Sequence, residues 1–529
     1  MKSKIVKTAS KPPKRVPKSV GGGSEEFLKL ARDLKSIEMR ARLEQAQYSN
    51  LLSKLHANCK RSGENFVHYL ALRQADLKDL QLRLAQVGLS SLGRAESCVI
   101  DNVQQTLARV SDSLSARGMR SPSAQSLGKT PAPLTWSDSE KLLHQHTRDL
   151  LGPKPEQRHV YIMVTAPLHS EFSEEWVREV ILAGANLVRI NCAHDSEPVW
   201  RDMIRCIRAV SAEMNSPCRI FMDLGGPKIR TASALHRKLS VGSEFWLVKK
   251  ITHRKREIEC SAPEVFKFVK PGARVFFDDG KIEARVVKKQ GTKILLKVAQ
   301  VPAPKTKLKA EKGINFPDSL LKVSEVTAQD LQDLDFVARE ADIVGMSFVQ
   351  STQAVRKIRR ELSKRTEQPP GIVLKIETKA GFQALPSLLL EAMQGYPCGV
   401  MIARGDLAVE AGFERLVEIQ EEILWLCEAA HVPVIWATQV LESQAKLGLP
   451  SRAEVTDAAS AVRAECVMLN KGSHIASAIR TLDSILRRME HHVYKKRTLD
   501  RKLMVANCGV MNSRSPRAIR ERAHSQLSV

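Results

Sequence analysis

Ile372-Val-Leu-Lys375-Ile-Glu377 is followed, one structural unit later, by Val400-Met-Ile-Ala-Arg404-Gly-Asp406. Both apolar runs read as buried strands of a parallel sheet. In the first, Lys375 and Glu377 are two residues apart and so share a face. Asp406 arrives at the end of the second. One ammonium and two carboxylates therefore meet at the mouth of the sheet. Two carboxylates suit a hard divalent cation such as Mg²⁺, and a neighbouring Lys can neutralise an oxyanion or a phosphoryl group in transfer. A single Lys-x-Glu is more often a structural ion pair, so the weight rests on similar placements elsewhere.

Working outward, apolar runs recur at Val160–Val164, Leu187–Ile190, Arg219–Met222, Asp342–Ser347, Ile372–Ile376, Gly399–Ile402, Pro433–Ala437 and Cys466–Leu469. Helical patterns separate them at Glu174–Ala183, Val199–Met214, Ala328–Ala341, Ala354–Leu362, Glu414–Ala430 and Arg452–Ala464. Eight strand units with crossovers predict a closed (β/α)₈ TIM barrel, an α/β fold, rather than an open sheet. Its two parts span 155–231 and 317–492. Residues 232–316, with Phe245-Trp-Leu-Val and Val275-Phe-Phe-Asp-Asp-Gly280, are short-strand, tight-turn material and predict an inserted small β-barrel domain. Residues 24–150 carry helical stripes (Phe27, Leu30, Leu34; Phe66, Leu70, Leu77) and a Ser/Pro-rich linker at 115–136. A basic tail is expected at each end, at 1–23 and 493–529.

In a barrel of this type, polar residues at the C-terminal ends of strands read as catalytic. They recur here: Arg189 and Asn191 after the second run, Asp223 after the third, Ser347 after the fourth, Lys375 and Glu377 at the fifth, Arg404 and Asp406 at the sixth, Thr438 and Gln439 at the seventh. So many on one rim exceed what scaffolding needs.

The formal net charge of +25 points toward polyanions. No basic run is interleaved with aromatics, so nucleic acid is not expected as a partner; polyphosphate substrates would also favour a positive cleft. No run reaches the length of a membrane span. Ten cysteines, none in a Cys-x-x-Cys pair, point to a reducing compartment and a cytoplasmic location. The Lys-rich, proline-broken first twenty residues fit a solvated tail better than a transit peptide.

Taken in order, Asn186-Leu-Val-Arg189-Ile-Asn191, Asp223-Leu-Gly-Gly-Pro-Lys-Ile-Arg230-Thr, Phe277-Asp-Asp-Gly280, Lys312-Gly-Ile-Asn-Phe-Pro317, Lys375-Ile-Glu377, Ala403-Arg-Gly-Asp-Leu407 and Ala437-Thr-Gln-Val-Leu-Glu-Ser443 resemble the signature stretches of the pyruvate kinases. The resemblance covers about 160–475. It implies phosphoryl transfer from phosphoenolpyruvate to ADP, giving pyruvate and ATP in glycolysis. It implies Mg²⁺ (or Mn²⁺) on Glu377 and Asp406, with Lys375 stabilising the phosphoryl group and the enolate. Arg189 would hold phosphate, the amides of Gly405 and Asp406 the substrate carboxylate, and Thr438 a proton relay. Arg230, Lys312, His194 and Asn191 would face the nucleotide, and Asn191, Asp223 and Lys228 the monovalent-cation region. The family also implies assembly into a homo-oligomer.

This chain departs from the family at several points. Ala193 stands where a potassium-ligating serine is usual, and Lys228 where potassium-dependent members carry Glu. A fixed ammonium there predicts activity without K⁺. Gly225 replaces a common Lys, and Leu469-Asn470-Lys471-Gly472 replaces a Ser-Gly-Glu-Thr run. No counterpart of the family's C-terminal effector domain is expected. Two other readings use the same residues: an Mg²⁺-dependent enolate-forming aldolase or lyase, and a catalytically weak scaffold whose helical N-terminal region does the binding. The inserted domain and Lys375 argue against the first; the retained Lys375, Glu377 and Asp406 argue against the second.

Overall fold

The computed structural model describes residues 23–119, 134–235, 238–253, 255–319, 321 and 324–490. The expected tails and most of the expected linker lie outside these residues. All eight expected strands form, within two residues of their predicted ends. They are β1 (Tyr161–Thr165), β2 (Leu187–Asn191), β3 (Arg219–Asp223) and, beyond the insert, β12 (Ile343–Met346), β13 (Gly371–Ile376), β14 (Cys398–Ala403), β15 (Val434–Ala437) and β16 (Cys466–Leu469). They close into an all-parallel barrel in the order β1-β16-β15-β14-β13-β12-β3-β2. Near-continuous burial along these strands explains why they read as unbroken apolar runs.

Register places the rim residues. Asn191 of β2 and Gly345 of β12 both lie level with Asp223 of β3. Ile376 of β13 lies level with Ile402 of β14, so Glu377 and Ala403 leave the sheet side by side. Gly345 has a packing reason: a Cβ there would meet a ring carbon of Phe221 at 2.7 Å and Asp223 Oδ1 at 2.8 Å.

The opposite, N-terminal mouth of the barrel is stoppered by the helix Trp136–Leu151. Thr135 caps this helix by accepting a hydrogen bond from the Asp138 amide. At its far end Leu150 and Leu151 join Tyr161, Met163, Phe221, Val373, Met401 and Ile435 in one cluster inside the barrel. Gly371 and Gly399 make room for this stopper, since a Cβ on either would lie 2.5 Å from a methyl of Leu150. The preceding helices, chiefly Ser24–Gln47, Lys60–Arg73 and Val99–Ser115, pack on one another and on the helix Phe413–Ala429. Buried Asn65 fastens them. Its Nδ2 donates to Glu96 O at 2.7 Å and Ala429 O at 2.9 Å, and its Oδ1 accepts from the Val99 amide at 2.8 Å. His431 contacts Ser97 O at 2.9 Å and Ser62 Oγ at 3.1 Å. These contacts lie at the strand N-termini, away from the polar rim.

The insert follows β3. Its strands are β4 (Lys238–Leu239), β5 (Glu244–Val248), β6 (Glu257–Glu259), β7 (Arg274–Phe277), β8 (Ile282–Gln290), β9 (Lys293–Gln300), β10 (Thr306–Lys307) and β11 (Ile314–Asn315). The small barrel expected here is hydrogen-bonded as a six-stranded sheet, β11-β7-β8-β9-β5-β6, beside a two-stranded ribbon of β10 and β4. It has its own core around Phe245, Phe266, Phe277 and Phe316. The two connections to the barrel are tied together, for the Ile314 amide donates to Ile229 O at 2.8 Å and the Thr231 amide to Lys312 O at 2.8 Å.

Candidate active site

Lys375, near the end of β13, points into the rim and is almost fully buried. Its Nζ donates to Ser347 Oγ at 2.7 Å, and it lies 3.0 Å from Asp223 Oδ1 and 3.3 Å from Glu377 Oε1. Burial alone would drive off its proton. Asp223 and Glu377 outweigh that and hold its pKa above the ordinary lysine value. Asp223 also accepts from Arg189, from Nε at 2.8 Å and from a terminal nitrogen at 2.6 Å. Burial opposes the Asp223 charge, yet Lys375 and Arg189 together keep its pKa below the usual carboxylate range. One carboxylate thus orients two cations.

Glu377 leaves β13 beside Lys375. Its Oε2 accepts from the Phe348 amide at 2.6 Å, a donation set up by the left-handed backbone of Phe348 (φ 53°). The next residue, Thr378, caps the helix Lys379–Ala392. Asp406 sits in the first turn of the helix Arg404–Ala411. Burial raises the pKa of Glu377; Lys375 opposes this, and the nearby Asp406 and Asp223 add to it. Asp406, close enough to raise the proton affinity of Glu377, makes with it a donor pair that a divalent cation between them would relieve. Glu377 and Asp406 therefore fit Mg²⁺ or Mn²⁺. Among the described residues no cluster of three or more His, Cys, Asp or Glu suits a metal, so substrate and water would complete the coordination.

The other expected residues fall into three groups. Thr438, with left-handed backbone (φ 68°), places its Oγ1 to accept from the Gly405 amide at 2.8 Å. The amide expected to receive a substrate carboxylate is thus held by Thr438, and the two predicted residues touch. Arg404 braces this corner through Asp457 and the carbonyls of Ala437 and Thr438. Arg189, Asn191 and His194 line a cavity of about 200 Å³ together with Thr165, Lys446 and Lys471. The pKa of His194 is lowered by burial and by the neighbouring Lys471 and Arg230.

Arg230 and Lys228 line a second cleft of about 610 Å³ against the helix Ala328–Glu340. Lys312 stands across the hinge on the insert, pairing with Asp278 at 2.9 Å. Of the three residues assigned to the monovalent-cation region, Asn191 and Asp223 are level on neighbouring strands, and each of the three side chains is held by different partners. Asn191 Oδ1 accepts from the Ala193 amide, Asp223 is taken by Lys375 and Arg189, and Lys228 Nζ lies 3.0 Å from Asp406 Oδ2.

Two residues of this site were missed in the sequence. Asn315 of β11 donates to Glu410 Oε1 at 3.0 Å and Asp406 Oδ1 at 3.4 Å. Glu410, one turn beyond Asp406, has its pKa raised to about 7 by burial, Asp406 adding to the rise. The spacing of Asp406 and Glu410 on one helical face was the available signal.

The family model for the pyruvate kinase barrel domain matches residues 157–477. Among related proteins, the pyruvate kinase of Clostridium acetobutylicum is 32% identical over 342 residues, covering 62% of this chain and 70% of that protein. That of Clostridium perfringens is 31% identical over 332 residues, 61% of this chain and 68% of the relative. That of Thermotoga maritima is 30% identical over 338 residues, 62% and 70%. With the rim geometry, the barrel order and the extent of these matches in agreement, the chain belongs to the pyruvate kinase family.

Proposed function

We propose that this chain transfers the phosphoryl group of phosphoenolpyruvate to ADP, giving pyruvate and ATP, with Mg²⁺ or Mn²⁺ and without a need for K⁺. The observation that carries this is the buried Lys375 ammonium, fixed by Asp223 and Ser347 beside the Glu377 and Asp406 carboxylates. Glu377 and Asp406 would hold the divalent cation, which would supply fixed positive charge to the bound substrate. The protein's own groups do the rest. Lys375 neutralises charge on the phosphoryl group as the enol C–O–P linkage breaks and the new P–O bond to the terminal phosphate of ADP forms. The same ammonium stabilises the enolate left behind.

Arg189, swung from Asp223, offers a rigid fork for phosphate. Thr438, whose Oγ1 accepts from the Gly405 amide at 2.8 Å, passes a water-linked proton to the enolate carbon to give pyruvate. Arg230, on the second cleft, and Lys312, on the insert side of the hinge, bind the nucleotide phosphates as the insert closes and excludes water. Lys228 supplies a permanent positive charge where a monovalent cation would otherwise serve. Self-association belongs to the same reading, supported by Phe413 and Val417, each 65% exposed one turn apart on one helix. So does a cytoplasmic location, supported by nine free thiols among the described residues. No described helix is long and apolar enough to cross a membrane.

The test is pyruvate release when the purified chain is given phosphoenolpyruvate, ADP and Mg²⁺. The expected result is turnover in buffer free of K⁺; no pyruvate under any cation condition refutes the assignment.

A further inference from the structure

Residues 232–316 hold 20 Lys and Arg against 8 Asp and Glu, whereas residues 24–231 and 317–490 together hold 47 against 48. Away from the chain ends, the positive excess of this protein is therefore confined to the insert. A solvated face ordinarily mixes both signs, and the helical region and barrel do so here.

Strand pairing gathers part of this charge around an aromatic ring. Lys288 of β8 lies opposite Leu295 of β9, and Leu295 opposite Trp246 of β5, making one row across three strands. Lys293 and Lys297 stand two residues to either side of Leu295 and share its face. Arg285 lies opposite Lys297. The ammoniums of Lys293 and Lys288 are 4.9 and 5.7 Å from the centre of the Trp246 indole, which is half-buried. Glu283, near Arg285 at 3.5 Å, and Glu244, opposite Lys297, stand toward one end of the face, and Glu257 of β6 lies level with Trp246, its carboxylate held by the Thr252 and His253 amides. Among the described residues no carboxylate lies within ion-pair distance of Lys288, Lys293 or Lys297.

This face is not the active-site wall. The insert meets the rim through β11, whose Asn315 touches Asp406 and Glu410, and through the β7–β8 turn, where Asp279 lies 3.8 Å from Lys228; the end of β6 is tied to the hinge at Arg230 and Thr231. In the sheet order, β8, β9 and β5 lie beyond β7 from that edge.

We propose that the β8–β9–β5 face binds single-stranded nucleic acid, with phosphates on Lys288, Lys293, Lys297 and Arg285 and a base on the exposed part of Trp246. Unpaired cations beside an aromatic platform on a sheet are what a flexible polyanion with π-faces recognises. An anionic membrane would select several projecting aliphatic side chains; the row offers half-buried Leu295 and Trp246, with one exposed valine, Val287, in the β8 bulge beside it. Trp246 and the two lysines are far apart in the chain, so no contiguous basic-aromatic motif announces the face.

The experiment is fluorescence anisotropy of a labelled oligouridylate titrated with the full chain at two salt concentrations. Parallel titrations use Lys288→Glu/Lys293→Glu/Lys297→Glu, the corresponding triple Gln variant, and Trp246→Leu. The expected result is salt-sensitive binding by the wild type, weakened on the order of a hundredfold by charge reversal and roughly tenfold by Trp246→Leu. The Gln triple should lie between, with a shallower salt dependence than wild type. Unchanged thermal midpoint and pyruvate release would show that the fold and the active site are intact. Equal binding by wild type and both triple variants would overturn the proposal by placing the affinity elsewhere in the chain. So would capture of the wild type by phosphatidylserine vesicles without binding of the oligonucleotide.

Discussion

Lys228 Nζ lies 3.0 Å from Oδ2 of Asp406, joining the segment that leads from β3 into the insert to a carboxylate proposed to hold the metal. A lysine there is covalently fixed and cannot be washed out. Turnover of the wild type is therefore expected to be the same, within about twofold, in K⁺ and in tetramethylammonium buffers. Lys228→Gln should lose on the order of tenfold in kcat, since one positive charge is worth more than 1 kcal/mol at a partly buried site. Steady-state rates in the two buffers check both points, and a large K⁺ requirement in the wild type would sink the idea.

Lys375→Met keeps the length of the side chain and removes its charge. A loss of about a thousandfold or more in kcat is expected, with Mn²⁺ binding retained because Glu377 and Asp406 are untouched. Coupled assay of pyruvate, together with Mn²⁺ titration by electron paramagnetic resonance, separates the two effects. Loss of both together would assign Lys375 to metal-site structure instead of chemistry.

Asp223→Asn leaves two buried cations, Lys375 and Arg189, short of their shared counter-ion. A destabilisation of about 3 kcal/mol is expected. The Asp223 pKa is depressed in the folded chain, so its contribution is present above the unfolded carboxylate pKa and fades as pH falls through the folded value. Wild type and variant should thus converge in stability toward strong acid. Urea unfolding across acidic and neutral pH measures it.

Glu410 shows the opposite sign. Its folded pKa of about 7 lies above the ordinary 4.5, so the buried carboxyl is increasingly unfavourable as pH rises between those values. Glu410→Gln keeps the hydrogen-bonding shape without the charge. The variant should gain stability relative to wild type from pH 5 to pH 8, by up to roughly 3 kcal/mol. A constant difference between the two proteins across that range would contradict the account.

Leu150→Ala opens a cavity in the floor of the barrel, where Gly371 and Gly399 close around the leucine. A loss of about 2–4 kcal/mol is expected, with kcat little changed because the rim lies at the other end of the strands. Thermal unfolding and steady-state kinetics decide it.

The barrel was legible because strands buried on both faces leave unbroken apolar runs, and the rim was legible because polar residues end those runs. Lys375, Glu377, Asp406 and Arg189 were found on that signal. The helix Lys379–Ala392 was missed: it holds Pro386 and is apolar almost all round, which erases the helical period. The insert announced short strands but not their order, since antiparallel partners are set by packing across the sheet. The contacts of Lys228 with Asp406 and of Asn315 with Glu410 join positions 178 and 95 residues apart in the chain. Only folded register brings them together. The same is true of Asp223, which read as one rim carboxylate and serves as the shared counter-ion of two cations.

Because Leu150 and Leu151 finish the inside of the barrel, and the earlier helices share one continuous core with it, the amino-terminal third is no detachable passenger. A fragment cut to begin at β1 would present a ring of Met, Phe and Ile side chains to water where a lid belongs. Such a piece should clump or melt early, whatever the quality of its catalytic rim.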